Sequence, residues 1–342
     1  MKQDQPTPQE WRALYEAAAE FRKIEPWRWM DDSDIFGVQD PHSGEIGYCC
    51  IMGGLGEVFA MAVYLGTEGL NGYRLIQKGT VKPGDPDSLF IQNCLMASFE
   101  DREFIEEEDM AVIKALGLKF RGSNGWPLFR SYKPGYFPWF LGRDEALYLT
   151  AALQQAHYVC VRYKEDRKML RPARKNHYLV RVQGTVDNAT DWHDEWKEPA
   201  PAKSEPIESK PVDELRIQRI KKTAKPVQAV WEIDFFYTPT PVAEGGRPFF
   251  PYAMMICDHN SGFIYDIYLS SPRKYIAEFP TVFLSSIEKN GITPMEILVS
   301  KKEAADLLAP YALSFDIKVS SAKRLNNIDN ARRGMTEFLE RI

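Results

Sequence analysis

The sequence predicts an α+β protein of two domains. The first is a mixed domain around an antiparallel meander, and the second follows the order β-β-β-α-β-α-β-α. Three observations predict this class. The 342 residues exceed the roughly 100–200 that one domain usually holds. Apolar runs of period two alternate with runs of helical spacing. A stretch rich in proline and charge, residues 199–206, separates the two halves.

The N-terminal domain is expected over residues 1–183 and a linker over 184–226. Prolines at 127, 134 and 138 predict that the aromatic stretch 126–140 is extended and turn-rich. Turn residues separate three short apolar runs, which indicates a meander. The predicted helices are 8–23, 67–78, 106–116 and 144–163, and the predicted strands are 34–39, 46–52, 58–65 and 177–182.

The C-terminal domain is expected over residues 227–342, after a short helix or strand within 211–225. A hairpin turn is predicted at 258–262. Crossover helices should make the later strands parallel to the first, with 296–299 beside it. The predicted strands are 227–237, 249–257, 263–269, 296–299 and 317–319, and helices should span 304–312, 327–339 and the segment around Phe279, Phe283 and Ile287. This order resembles the ribonuclease-H-like topology.

Several short sequence segments, spread over nearly the whole chain, resemble those of a known family. They include Ile46-Gly47-Tyr48-Cys49-Cys50, Ser98-Phe99-Glu100-Asp101-Arg102 and Pro134-Gly135-Tyr136-Phe137-Pro138-Trp139. The family consists of uncharacterised bacterial proteins built from two consecutive domains of unknown function. The resemblance implies a bacterial, cytoplasmic protein and implies no activity.

Composition narrows the function classes. The net charge of −5 gives no global attraction to nucleic acid or to an anionic membrane. Residues 1–10 are too polar for a signal peptide, and no apolar run approaches the roughly 20 residues of a membrane span. We therefore expect a cytoplasmic protein that is not integral to a membrane. The odd set of cysteines is expected to be reduced: Cys49, Cys50, Cys94, Cys160 and Cys257.

A carboxylate cluster is the first candidate site. Nucleases of the ribonuclease-H-like class hold two divalent ions with carboxylates, the first on strand one. Asp234 matches that position, and Glu232 shares its face. At the end of the fourth strand, where the class has a second acid, this sequence has Ser300. The remaining metal-ligand candidates are Asp234, Asp266 and Asp329.

The competing interpretation makes most of these acids ordinary surface or turn residues, including Asp258 of the hairpin. Asp234 differs because its neighbours are apolar. A carboxylate buried there must bind a cation, remain protonated or find an internal partner, such as Lys301 or a nearby arginine.

A basic run and an aromatic stretch are the other candidates. The basic run could bind the phosphates of a nucleic acid. More commonly, such a run is a solvent-exposed surface at the end of a helix. Its residues are Arg167, Lys168, Arg171, Arg174 and Lys175. The stretch could line a ligand or peptide groove, or pack as a loop over the core. Its residues are Trp126, Tyr136 and Trp139.

From these patterns we predict a non-catalytic binding or interaction protein with a degenerate ribonuclease-H-like domain. The alternative is a divalent-metal-dependent nuclease or phosphoryl-transfer enzyme that uses Asp234. No cofactor is expected under the first hypothesis, and Mg or Mn under the alternative. A protein or peptide partner is favoured over nucleic acid, and no membrane partner is expected.

Overall fold

A computed structural model describes residues 5–81, 86–186, 189–201 and 213–339, and the chain divides into two compact units. The N-terminal unit comprises Met1–Pro134 and Pro138–Lys203, and the C-terminal unit comprises Gly135–Phe137 and Ser204–Ile342. Within the described ranges no helix is both long and apolar enough to cross a membrane.

The N-terminal unit begins with a capped helix. The Thr7 hydroxyl accepts the N–H of Glu10, and the Glu10 carboxylate accepts the N–H of Thr7 at 2.7 Å, which forms a capping box. The described helices are α1 (Pro8–Ile24), α2 (Gly66–Gln77), α3 (Pro86–Leu89), α4 (Glu107–Ala115) and α5 (Arg143–Glu165). The described strands are β1 (Phe36–Gln39), β2 (Ile46–Met52), β3 (Phe59–Leu65), β4 (Cys94–Glu100), β5 (Trp126–Tyr132), β6 (Tyr178–Val186) and β7 (Ala189–Lys197).

These strands form one sheet in the order β5-β4-β3-β2-β1-β6-β7. Strands β1 to β5 are antiparallel neighbours, so the predicted meander is confirmed, and β6 lies parallel to β1. Cys49 packs with α1 and α5 on one face, whereas Cys50 packs with α2 on the other. Strand β4 was missed because both of its faces are buried, which removes the alternation that marks a half-buried strand.

Regular structure extends into the segment expected to be a linker. Strand β6 continues to Val186, β7 pairs with it, and α6 (Glu214–Thr223) lies near the other end. The edge strand β7 consists mostly of polar residues, and its two tryptophans, Trp192 and Trp196, are four positions apart, so it has no apolar alternation of period two. Residues 202–212 lie outside the described ranges, and the predicted domain limits remain a prediction.

The C-terminal unit confirms the predicted order of elements. After α6 come β8 (Lys225–Tyr237), β9 (Tyr252–Asp258), β10 (Ile264–Ser270), α7 (Tyr275–Asn290), β11 (Ile292–Val299), α8 (Lys302–Ser314), β12 (Lys318–Ser321) and α9 (Asn326–Leu339). The strand order is β10-β9-β8-β11-β12. Strands β8, β9 and β10 are antiparallel, and β11 and β12 run parallel to β8. This is the ribonuclease-H-like topology, with β11 beside β8 as predicted.

Strand β8 presents different residues to the two faces of this sheet. Trp231, Ile233 and Phe235 join the core formed with α6, α7 and α8. Phe236 joins a smaller core that includes Ile328 of α9. Because strand side chains alternate, Glu232 and Asp234 lie on the α9 face. The fold therefore places two carboxylates inside a helix–sheet layer.

Candidate functional site

Asp234 lies in the C-terminal half of β8, and only 3% of the residue is exposed. The parallel register sets Val299, the last residue of β11, opposite Ile233, so the residue that follows β11 comes beside Asp234. That residue is Ser300, whose hydroxyl donates a hydrogen bond to Oδ1 of Asp234 at 2.8 Å. The sequence identified Ser300 as the place of a missing acid. In the structure, Ser300 donates the hydrogen bond that Asp234, the acid still present at this end of the sheet, accepts.

Lys301 takes a different partner from the one expected. Its ammonium group donates to the backbone carbonyl of Phe235 and lies 5.8 Å from the centre of the Tyr252 ring. Lys301 is therefore not the internal partner of Asp234. A backbone carbonyl and an aromatic face stabilise this cation without using the buried carboxylate.

Glu232 is a buried carboxylate with several hydrogen-bond partners, and only 1% of the residue is exposed. Its Oε2 accepts the backbone N–H groups of Asn327 and Ile328, at 3.2 and 3.3 Å, in the first turn of α9. Its Oε1 lies 2.7 Å from Nδ1 of His259, in the turn between β9 and β10. A carboxylate at this end is stabilised by the helix dipole and satisfies amides that have no partner within the helix.

The pair formed by Glu232 and His259 was not identified from the sequence. The buried carboxylate orients the imidazole, 44% of whose side chain is exposed, which is an arrangement that general bases use. Among the described neighbours of His259 and Glu232, however, there is no nucleophile that this pair could activate. Cys257 has its sulfur 3.9 Å from Glu232, but burial, reinforced by the charge of Glu232, raises the pKa of its thiol to about 12. A thiol that stays protonated is a poor nucleophile.

The three predicted metal ligands are not brought together. Asp266 of β10 lies opposite Ile256, on the face that packs α7, and its carboxylate is 3.3 Å from the ammonium of Lys289. Asp234 points to the other face. Asp329 is half-buried in the first turn of α9. Among the described residues, no group of three or more His, Cys, Asp or Glu side chains could hold a metal ion. The residues present therefore do not fit the carboxylate set of a two-metal site.

The five predicted basic residues follow α5, and all of them are exposed. Arg167, Arg171 and Lys175 line a cavity of the N-terminal unit. Lys168 and Arg174 lie outside its lining. The structure thus separates the basic run into a group around a concave site and a group on the open surface.

The three aromatic candidates have separate neighbours. Trp126, at the start of β5, is half-buried against the core of the N-terminal unit. Trp139 pairs with Ser131 of β5 through two backbone hydrogen bonds of 2.8 and 3.0 Å. Tyr136 belongs to the C-terminal unit, where its ring lies 6.4 Å from that of Phe249. Within neither unit do the described residues bring these rings into one groove.

Comparison with solved structures finds a similarity to the catalytic core domain of HTLV-2 integrase, in a dimeric form in complex with magnesium. The sequences are 17% identical, the TM-score is 0.24, and the match covers 30% of this chain. It also covers 64% of the integrase chain, which is less than two thirds of that chain. The strand order β10-β9-β8-β11-β12, and not this match, defines the topology of the C-terminal unit.

Two protein-family models match consecutive parts of this chain. No curated protein matches this chain. The model of the domain of unknown function DUF7309 matches residues 11–181, which are half of the chain. The model of a second domain of unknown function, DUF6930, matches residues 216–336. The chain therefore belongs to the family defined by DUF7309, with a DUF6930 domain following it, which confirms the predicted pair of consecutive unknown-function domains.

Proposed function

We propose that this chain acts by binding and that its ribonuclease-H-like unit does not carry out metal-dependent phosphoryl transfer. The observation that carries the proposal is the 2.8 Å hydrogen bond from Ser300 to Asp234. At this strand end the ribonuclease-H-like resemblance implies a second metal-binding acid. A hydroxyl group adds no negative charge there, and a hard divalent ion prefers several charged oxygens.

Glu232 supports the same proposal. It is the other carboxylate on this face of β8, but its oxygens accept hydrogen bonds from α9 and lie beside His259. Moving it to a metal ion would leave two amides at the helix N-terminus without an acceptor. A protein or peptide remains the partner class predicted from the sequence.

The proposal is tested by manganese titration of the full chain, with thermal unfolding as the readout. We expect no manganese-dependent rise in the unfolding temperature of the parent protein. We expect Asp234→Asn to lower stability equally with and without the metal, since the amide places a buried donor beside Ser300. A manganese-dependent rise in the parent that Asp234→Asn removes would instead support the nuclease or phosphoryl-transfer alternative.

A matched pair of variants tests the physical reason. Ser300→Asp adds a second carboxylate beside Asp234, so it should lower stability without metal and become stabilised by manganese. Ser321→Asp adds the same charge at the end of β12, where the register opposite Val299 turns the side chain to the other face. This control should not respond to manganese. An equal response of the two variants would contradict the argument that the charge missing at Ser300 is what prevents metal binding.

A further inference from the structure

The N-terminal unit contains a cavity of about 690 Å³. Its walls come from the segment before β1, from α2, from the end of α5 and from the residues that lead into β6. Sites for small molecules usually measure about 300–1,000 Å³. The volume therefore suits a small organic ligand.

The charge of the cavity wall is strongly unbalanced. One carboxylate, that of Asp34, lines it. That carboxylate already accepts hydrogen bonds from the hydroxyl of Tyr163 at 2.9 Å and from the N–H of Asp31 at 2.8 Å. No acidic side chain in the described residues forms an ion pair with any of the lining cations, which are Arg74, Lys78, Arg167, Arg171 and Lys175. Such a concave group of cations attracts anions and raises their local concentration.

Arg74 is held in position without being neutralised. The guanidinium group donates to the hydroxyl of Tyr178 at 2.8 Å and to the side-chain oxygen of Asn176. Asn176 in turn donates to the carboxylate of Glu198 at 3.1 Å. The nearby carboxylate thus binds the amide and leaves the charge of Arg74 unpaired. A positioned guanidinium offers the paired donors that a phosphate group accepts.

The lining also contains apolar and aromatic residues beside its polar ones. Ile35 and Leu170 contribute aliphatic surface, and Tyr73 and Tyr163 contribute rings. Burial, followed by the hydrogen bond to Asp34, raises the pKa of Tyr163 to about 12. This phenol remains uncharged at neutral pH and does not repel an anion. A ligand with an anionic end and a ring-containing body would match both parts of the wall.

We propose that this cavity binds a small phosphate-bearing ligand with the chemistry of a nucleotide. The phosphates would contact Arg74, Arg171 and Lys175, and the base would lie on the apolar and tyrosine surface. Every residue that lines this cavity belongs to the N-terminal unit, so this inference holds whether or not the C-terminal unit is catalytic.

The test measures binding of ATP, pyrophosphate and adenosine to the full chain by calorimetry and thermal unfolding. We expect ATP to bind more tightly than either fragment and to bind less tightly as the salt concentration rises. Lys175→Ala and Arg171→Gln should each weaken ATP binding about tenfold, because each removes a charged hydrogen-bond donor. The matched control is Lys119→Ala, an exposed lysine outside the cavity lining, which should change the affinity less than about twofold.

Three results would overturn the proposal. They are the absence of ATP binding at millimolar concentration, an equal loss of affinity in Lys175→Ala and Lys119→Ala, and equal affinities for ATP and pyrophosphate. Tight binding of a single-stranded oligonucleotide with which ATP does not compete would assign the basic residues to nucleic acid instead. Both cavity variants change exposed side chains, so their folding can be verified before binding is measured.

Discussion

The buried carboxylates of the C-terminal unit and the cations around the N-terminal cavity have opposite surroundings. Glu232 and Asp234 are at most 3% exposed and accept hydrogen bonds from protein donors. Arg171 and Lys175 are exposed, and no acidic side chain in the described parts of the chain pairs with them. One group is committed to the fold, whereas the other remains available to an anion from solution.

The difference shows why burial alone is a poor indicator of a binding site. A carboxylate removed from water must gain partners, and the partners that satisfy it also remove its capacity to hold a ligand. An exposed cation keeps its hydration until a ligand replaces it. The same chain therefore has its most conspicuous acids in a structural role and its less conspicuous basic run around a cavity.

The largest expected effect is on the structural side of this comparison. Glu232→Ala removes the acceptor of two helix amides and the partner of His259, so the C-terminal unit should lose about 3–5 kcal/mol of unfolding free energy. Urea unfolding measures the loss. Glu244→Ala, at an exposed position, is the control and should cost less than about 0.5 kcal/mol. Equal costs for the two variants would show that Glu232 is not structural.

A smaller effect is expected for a paired carboxylate of the N-terminal unit, Asp194. Burial raises its pKa, but hydrogen bonds from Arg162 and Arg181 outweigh this and hold the pKa below its ordinary value. The ion pairs that lower the pKa of Asp194 stabilise the folded state above about pH 4, where the carboxylate is charged. This contribution is lost as the pH falls below about 4 and the carboxylate becomes protonated.

The consequence is a pH-dependent difference between the parent and Asp194→Asn. Because the residue is partly exposed, the difference should be at most about 1 kcal/mol at pH 7 and should shrink below about pH 4. Urea unfolding at a series of pH values measures it. Asp191→Asn, an exposed position on the same strand, should differ little from the parent at every pH. A difference that grows in acid would contradict the assigned ion pairs.

The smallest effect is expected at the cavity. Lys175→Ala removes an exposed cation with no acidic partner among the described residues, so it should change the unfolding free energy by less than about 0.5 kcal/mol. The measurement is urea unfolding without ligand. A loss of several kcal/mol of unfolding free energy would show that Lys175, like Glu232, is a structural residue. The contrast between the buried carboxylates and the exposed cations would then no longer hold.

Local patterns were sufficient for much of the fold. The turn at 258–262 and the alternation of strands and helices after it predicted the C-terminal topology, including the position of β11 beside β8. Strands β4 and β7 escaped prediction for opposite reasons. The first is buried on both faces and the second has polar residues along an edge, so neither shows the apolar alternation of a half-buried strand.

The sites were less predictable because they join distant parts of the chain. The burial of Asp234 followed from its neighbours on β8, but its bond to Ser300 depends on the register of two strands. The cavity joins Asp34, Arg74 and Arg171 from three distant parts of the chain. No spacing within the sequence records such contacts.

The sequence by itself determined the order of strands and helices of the C-terminal unit from β8 onward. The reason is that turn chemistry, apolar periodicity and helix signals act between neighbours in the chain. Only the tertiary structure decided that Asp234 and Asp266 lie on opposite faces of their sheet and that Glu232 accepts hydrogen bonds from the first turn of α9. It also decided that Arg74 of α2 and the cations that follow α5 line one cavity. These outcomes depend on strand register and helix packing, which bring together groups whose separation along the chain carries no signal of their contact.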